Sequence, residues 1–178
     1  MIIPELTTDR LLLRPFTMGD VDRVTDLLQR PEIAATTLYV PFPYDRDDAA
    51  SWIVTHEPAA ELGRAINWAI CDRETGEVMG TIGLEIQGYH HRGMLGYWLG
   101  VPYWSKGIMS EAARAVVRYG LDTLGLHRIE ATCMPHNIGS SRVMEKAGMR
   151  YEGTLRDYYR KDDGFTDAAM YAILRDGK

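Results

Sequence analysis

Between Met109 and Leu124 the apolar residues recur without a break: Met109, Ala112, Ala113, Val116, Val117, Gly120, Leu121 and Leu124. That spacing predicts a helix, here Gly107 to Leu124, with one stripe to bury and with Ser110, Glu111, Arg114, Arg118 and Asp122 on its other side. Strand-like runs flank it. "RGMLGYWLG" is closed by Pro102, and "HRIEATCMP" alternates until Pro135 stops it. A helix striped in this way has to lie on a sheet, and its first turn has to sit where the preceding strand ends.

The remaining segments extend that frame. "RLLLRPF" is a short strand stopped by Pro15, and "MGDVDRVTDLLQR" is a helix with Val21, Val24, Leu27 and Leu28 on one face. "YVPFPYD" is a loop, and the acids of "DRDDAASWIVTHE" suit a second helix start. "AINWAICD" and "VMGTIGLEIQ" pair about a Thr75-Gly76 turn. "NIGSSRVMEKAGM" is a short helix capped by Asn137 and ended at Gly148. Two long strands then close about an Asp163-Gly164 turn. The order β-α-α-β-β-β-α-β-α-β-β, with no linker and no repeat, implies one mixed α/β domain over residues 1–178, its central sheet flanked by about four helices.

The run-in to the central helix, "VPYWSKGIM", is the segment with chemistry to explain. A helix start offers unpaired N–H groups and the positive end of the dipole. Gly107 lets an anion approach the backbone and Lys106 adds charge, so a phosphate is the fitting occupant. A turn glycine beside a solvated lysine is the plainer reading. The nucleotide-hydrolysing pattern G-x-x-x-x-G-K-[ST] and the dinucleotide fingerprint G-x-G-x-x-G are both absent.

A net charge of −5 argues against sequence-blind nucleic-acid binding and suits a cationic partner such as an amine. Cys71 and Cys133 have no metal or disulfide spacing, and no apolar run reaches membrane length. The start lacks the apolar core of a signal peptide, and a reducing cytoplasm is the expected compartment.

"MLGYWLGVPYWSKGIMSEA" and "NIGSSRVMEKAGM" together strongly resemble the GNAT superfamily of acetyl-CoA-dependent N-acetyltransferases. "TTDRLLLRPFTMGD" and "GTIGL" resemble its RimJ/RimL branch of ribosomal-protein N-terminal acetyltransferases. The resemblance implies a mixed, mostly antiparallel sheet that splays between "MLGYWLG" and "HRIEATCMP", with acetyl-CoA in the gap. It places the diphosphate against the backbone from Trp104 through Ser105, Lys106, Gly107, Ile108 and Met109 to Ser110. The pantetheine arm would lie along the backbone of Trp98 and Leu99 like an added strand, with Asn137 nearby. The superfamily loop Q/R-x-x-G-x-G/A keeps only its central glycine here, at Gly107. Trp104 cannot supply the usual polar side chain.

For the chemistry, Met144 occupies the slot where many members carry a proton-donating Tyr. Ser140, three residues after Asn137, matches the N-x-x-S pattern and takes the acid role by resemblance. Met94 stands where the branch often has a Glu. Glu85 on the preceding strand is the nearest carboxylate, acting directly or through water, against the plainer reading of an exposed strand residue. His90 and His91 read as a loop tip, and no metal site is expected. Tyr39, Phe42, Tyr44, Tyr158 and Tyr159, with Asp45, Asp47 and Asp48, could shape a mouth for a cationic peptide end. The expected activity is direct acetyl transfer to a primary amine, foremost a protein N-terminus. Polyamines, antibiotics or small-metabolite amines are alternatives, as is a CoA-binding sensor without turnover. The chain fits a monomer or a homodimer.

Overall fold

Among residues 2–175, which the computed structural model describes, eight strands form one sheet. They are β1 (Leu6–Thr7), β2 (Leu11–Arg14), β3 (Ala65–Asp72), β4 (Val78–Gln87), β5 (Arg92–Leu99), β6 (Arg128–Cys133), β7 (Arg150–Lys161) and β8 (Gly164–Leu174). Their spatial order is β1-β2-β3-β4-β5-β6-β8-β7. Every neighbouring pair is antiparallel except β5 with β6. That parallel pair is joined by the crossover that carries the central helix, as parallel neighbours require.

Six α-helices accompany the sheet: α1 (Val21–Leu28), α2 (Pro31–Thr36), α3 (Arg46–Ile53), α4 (His56–Glu61), α5 (Ile108–Arg118) and α6 (Ile138–Lys146). Four of them fall where the period predicts helices. The stretch read as one helix from Asp45 breaks after Ile53 and resumes at His56 as α4. α2 is new: Pro31 sits in its first turn, where a missing N–H costs nothing, and Ile33 is its one buried anchor. The central helix reaches Leu124 through a wider last turn, in which the Leu124 N–H bonds the Tyr119 carbonyl at 3.1 Å.

The helices sort onto two faces. On one, α5 and α6 bury Ile108, Met109, Ala112, Ala113, Val116, Val117 and Met144 against Ile66, Trp68, Ile82, Leu84, Leu95 and Ile129. On the other, α1 and α3 pack Val21, Val24, Leu27, Leu28, Ala49 and Ile53 around Trp98, with Ile33 of α2 in the same cluster. Ser110, expected on the polar side of α5, is instead buried with the stripe. The final hairpin turns at Asp162 and Asp163, because Lys161 pairs with Gly164 and Asp162 takes the left-handed conformation (φ 53°). Gly164 therefore starts the strand and does not make the turn.

Candidate functional site

β5 and β6 are paired over three rungs: Arg92 with Arg128, Gly93 with Ile129, and Met94 with Glu130. Beyond Met94 the ladder stops, although β5 runs on to Leu99 and β6 to Cys133. The sheet is split there, as the resemblance implies. At the closed end Glu130 is buried, with Oε2 2.7 Å from Arg128 Nε and Oε1 3.4 Å from Arg92 Nε. Arg128 also grips Glu152 of β7 at 2.5 Å. Ion pairs thus tie three strands together at the apex.

The β4–β5 register fixes which backbone groups face the split. Gly100 donates to the Met79 carbonyl at 2.8 Å. Groups alternate along an antiparallel strand, so the amide and carbonyl of Trp98 turn toward Thr81, while those of Leu95, Tyr97 and Leu99 turn toward the gap. This corrects one expected contact. Of the pair Trp98 and Leu99, only Leu99 presents its backbone to the gap, and Tyr97 replaces Trp98. The Leu99 carbonyl is already taken by the Trp104 indole N–H at 2.6 Å. Trp104 does have a polar use after all, as an internal clamp on the lip.

At the open end stands the start of α5. Ser105 (φ 60°) and Gly107 (φ 75°) are both left-handed, and Gly107 is the N-cap. The first helical bond runs from the Glu111 N–H to the Gly107 carbonyl at 3.1 Å. The N–H groups of Ile108, Met109 and Ser110 precede it, so they have no intrahelical acceptor. All three residues are buried and line a cavity at the helix start. Lys106 leans over the Tyr103 ring, with Nζ 5.8 Å from its centroid. A cavity of about 250 Å³ joins Leu99, Ser105, Gly107 and Ser110 to Gly139, Arg142 and Lys146 of α6. Those last two cations give the cavity charge that the sequence reading missed. They lie one turn apart on α6, so helical spacing was the available signal. A more open hollow of about 380 Å³ lies between α6 and β7–β8, lined by Tyr151, Thr154 and Tyr171. It shares Arg142 with the first cavity but takes no lining residue from α5.

Arg10 and Thr8 hold this helix start in place. Glu111 accepts from the Thr8 hydroxyl at 2.6 Å and from Arg10 Nε at 2.7 Å, while Arg10 Nη1 reaches the Lys106 carbonyl at 3.1 Å. Burial pushes the Glu111 carboxyl up, but Thr8 and Arg10 together outweigh it and hold it below the usual range.

Asn137 caps α6, its Oδ1 accepting from the Ser140 N–H at 3.1 Å. The Ser140 hydroxyl meets the Tyr97 hydroxyl at 2.8 Å across the split. Burial drives the Tyr97 phenol far above its ordinary range, with the Ser140 bond only partly offsetting, so it keeps its proton. Met144 points into the core and is fully buried, so the slot of the usual Tyr is not a cleft position in this chain. Cys133 lies nearby, 3.4 Å from the Ser141 hydroxyl. Burial raises its thiol, and Ser141 and Ser140 only partly offset that, which disfavours a nucleophilic thiolate.

Residues 10–150 match the acetyltransferase (GNAT) domain family. The chain belongs to the GNAT acetyltransferase family. The uncharacterised N-acetyltransferase YoaA of Bacillus subtilis is 34% identical over 176 residues, covering 98% of both chains. The ribosomal protein uS5-alanine N-acetyltransferase of Escherichia coli is 29% identical over 177 residues, covering 94% of this chain and 89% of its own. RimL, a ribosomal α-N-protein acetyltransferase solved with coenzyme A, superposes with a TM-score of 0.88 over 100% of both chains at 19% identity, a likeness of fold.

The other face of this GNAT domain carries the expected base. Glu85 alternates with the core residues Leu84 and Ile82, pairs with Met94, and is exposed on the α1 face. Ser140 lies on the α6 face, so the two expected catalytic groups flank the split from opposite sides. Thr132 also lies on the α1 face, its hydroxyl 2.9 Å from that of Tyr159. Tyr159 reaches it because β7 bulges between Leu155 and Tyr159, with Asp157 left-handed (φ 48°). Burial raises the Tyr159 phenol, the Thr132 bond partly offsets this, and the charges of Tyr158, Tyr39 and Glu85 add to the rise. Of the aromatics expected at the mouth, Tyr158 and Tyr159 pack edge to face with ring centroids 4.7 Å apart, but others do not join them. Tyr44 is core, its phenol pushed up to about 12 by burial and by Asp48 and Asp45. Asp45 and Asp48 form the reciprocal cap of α3, at 2.9 and 3.1 Å. His90 and His91 lie on an exposed turn, and no metal-type cluster occurs among the described residues.

Proposed function

We propose that this protein transfers acetyl from acetyl-CoA to a primary amine by direct attack within a ternary complex, in the cytoplasm. The reading rests on one observation: the unpaired lips of β5 and β6 open beside the α5 start, where left-handed Ser105 and Gly107 expose a row of amides. The residues fit the coenzyme. Amides from Ile108 to Ser110, with Lys106, Arg142 and Lys146, would take its phosphates. The gap-facing backbone of Tyr97 and Leu99, with the Asn137 side chain, would take the peptide-like arm.

The chemistry then divides by face. An α-amine sits near pKa ~8 and must first lose a proton, which Glu85 accepts through a water from the α1 side. The free amine attacks the thioester carbon, and backbone amides receive the oxyanion. Collapse breaks the C–S bond, the thiolate takes a proton from Ser140, backed by the Tyr97 phenol, and the extra proton on the new amide nitrogen replaces the one Ser140 gave up. The products are an N-acetyl amine and coenzyme A, with the amine's surplus proton released.

Likeness to the uS5-alanine enzyme favours a protein N-terminus as acceptor. Thiol release from acetyl-CoA over a panel of peptides, polyamines and small amines tests the reading. Coenzyme A binding without amine-dependent release from any acceptor would favour a sensor. Absence of calorimetric heat with millimolar coenzyme A would overturn the site itself.

A further inference from the structure

The α1 face of the split has a bare floor. Gly96 lies in β5, interior to the sheet, yet it is exposed, and a Cβ built on it meets nothing within 4 Å. Its alternation with Tyr97 and Leu95 places that empty space on the α1 side, away from α5 and α6. Its pairing partner is Gly83, over which the Asn67 amide leans: a Cβ on Gly83 would stand 2.1 Å from Asn67 Oδ1. Two facing glycines thus strip the floor of side chains, and Asn67 gives it a polar wall. Two rungs away, on the same face, lies the Met94–Glu85 pair. Across the gap stands Thr132, two residues past the last rung at Glu130, with Tyr159 tethered to it.

We infer that Gly96 is the floor of the acceptor channel and sets how bulky an amine can reach the split. This inference rests on the acetyltransferase reading above. The acceptor is a primary amine whose ammonium end lies toward Glu85 and whose following atoms cross Gly96 beside Tyr159, against which Tyr158 packs. A carboxylate with the paired rings of Tyr158 and Tyr159 at the rim selects a cation. No backbone strain protects Gly96, since its φ is not left-handed, so a side chain fits the fold while filling the channel.

The test compares wild type with Gly96→Ala and Gly96→Val. The readouts are coenzyme A affinity by calorimetry, thermal melting, and steady-state acetylation of a peptide with a free N-terminal alanine, of spermidine and of ethylamine. Expected is an unchanged melting point and coenzyme A affinity, with KM for the peptide raised about tenfold or more in Gly96→Val. Gly96→Ala should fall between, and ethylamine should suffer least. Equal peptide KM in all three proteins overturns the inference while leaving the acetyltransferase reading intact. Loss of coenzyme A affinity in the variants overturns it too, by assigning the space to the coenzyme. A wild type that acetylates none of the three amines removes the acetyltransferase reading, and the inference with it.

Discussion

Ser140 and Tyr97 meet hydroxyl to hydroxyl at 2.8 Å. Ser140→Ala is expected to lower kcat about tenfold or more, the usual scale of acid catalysis, with coenzyme A affinity nearly intact. Tyr97→Phe should lower kcat less, since the serine remains. Pre-steady-state thiol release separates these effects from binding, and an unaltered kcat in Ser140→Ala would remove the serine from the mechanism. At Gly107 the outcome should be the converse. Gly107→Val forces a β-branched residue to a φ of 75° and screens the amide row, so coenzyme A affinity should fall at least about tenfold. Isothermal titration reads that directly. Ser140, Asn137 and Gly107 could be named from sequence because local pattern carries them. Tyr97 could not, since its partner lies 43 residues away and only the split brings them together. Ser110 reads as polar-face in sequence yet is buried, because a small hydroxyl can enter a core without disturbing an apolar period.

The strands β3 and β4 keep the bounds expected for them, because alternation and a tight turn at Gly76 (φ 74°) define both ends locally. α2 escaped notice since six residues with one buried anchor leave no period to detect. The split was expected through resemblance alone; nothing in "MLGYWLG" says where its neighbour leaves it. What holds the strands up to that point is the Glu130 cluster. Glu130→Ala would leave Arg92 and Arg128 facing each other with one counter-charge fewer, and should cost about 2 kcal/mol of stability. Urea denaturation measures it. The same variant should loosen coenzyme A binding, whereas an equally destabilising core substitution far from the apex should not. Tyr159 belongs to this scale also: a bulge in β7, invisible in the sequence, carries it to Thr132.

Across the whole molecule, acid is the expected weakness. His56 is buried against Phe16 and Trp52, and both its ring nitrogens lack partners. Burial lowers its pKa to about 4 from 6.5. Above pH 6.5 the ring is neutral folded or unfolded, and no stability is lost. Between 6.5 and about 4 the unfolded chain takes up a proton that the folded one refuses, removing about 3 kcal/mol. Asp20 adds to the loss at lower pH. Burial raises its carboxyl, but bonds from Arg14 at 2.8 and 2.9 Å and from Thr17 hold it below the ordinary value. His56→Phe should keep the ring packing and flatten the melting-temperature profile between pH 4 and 6.5, leaving the steeper fall below it. A profile identical to wild type would acquit His56.

The three rungs between β5 and β6 carry a last implication. They leave the molecule as two half-sheets hinged at one edge, so whatever fills the gap acts as mortar as well as reagent. The empty protein should breathe most along that seam, and the loaded one should behave as a single block.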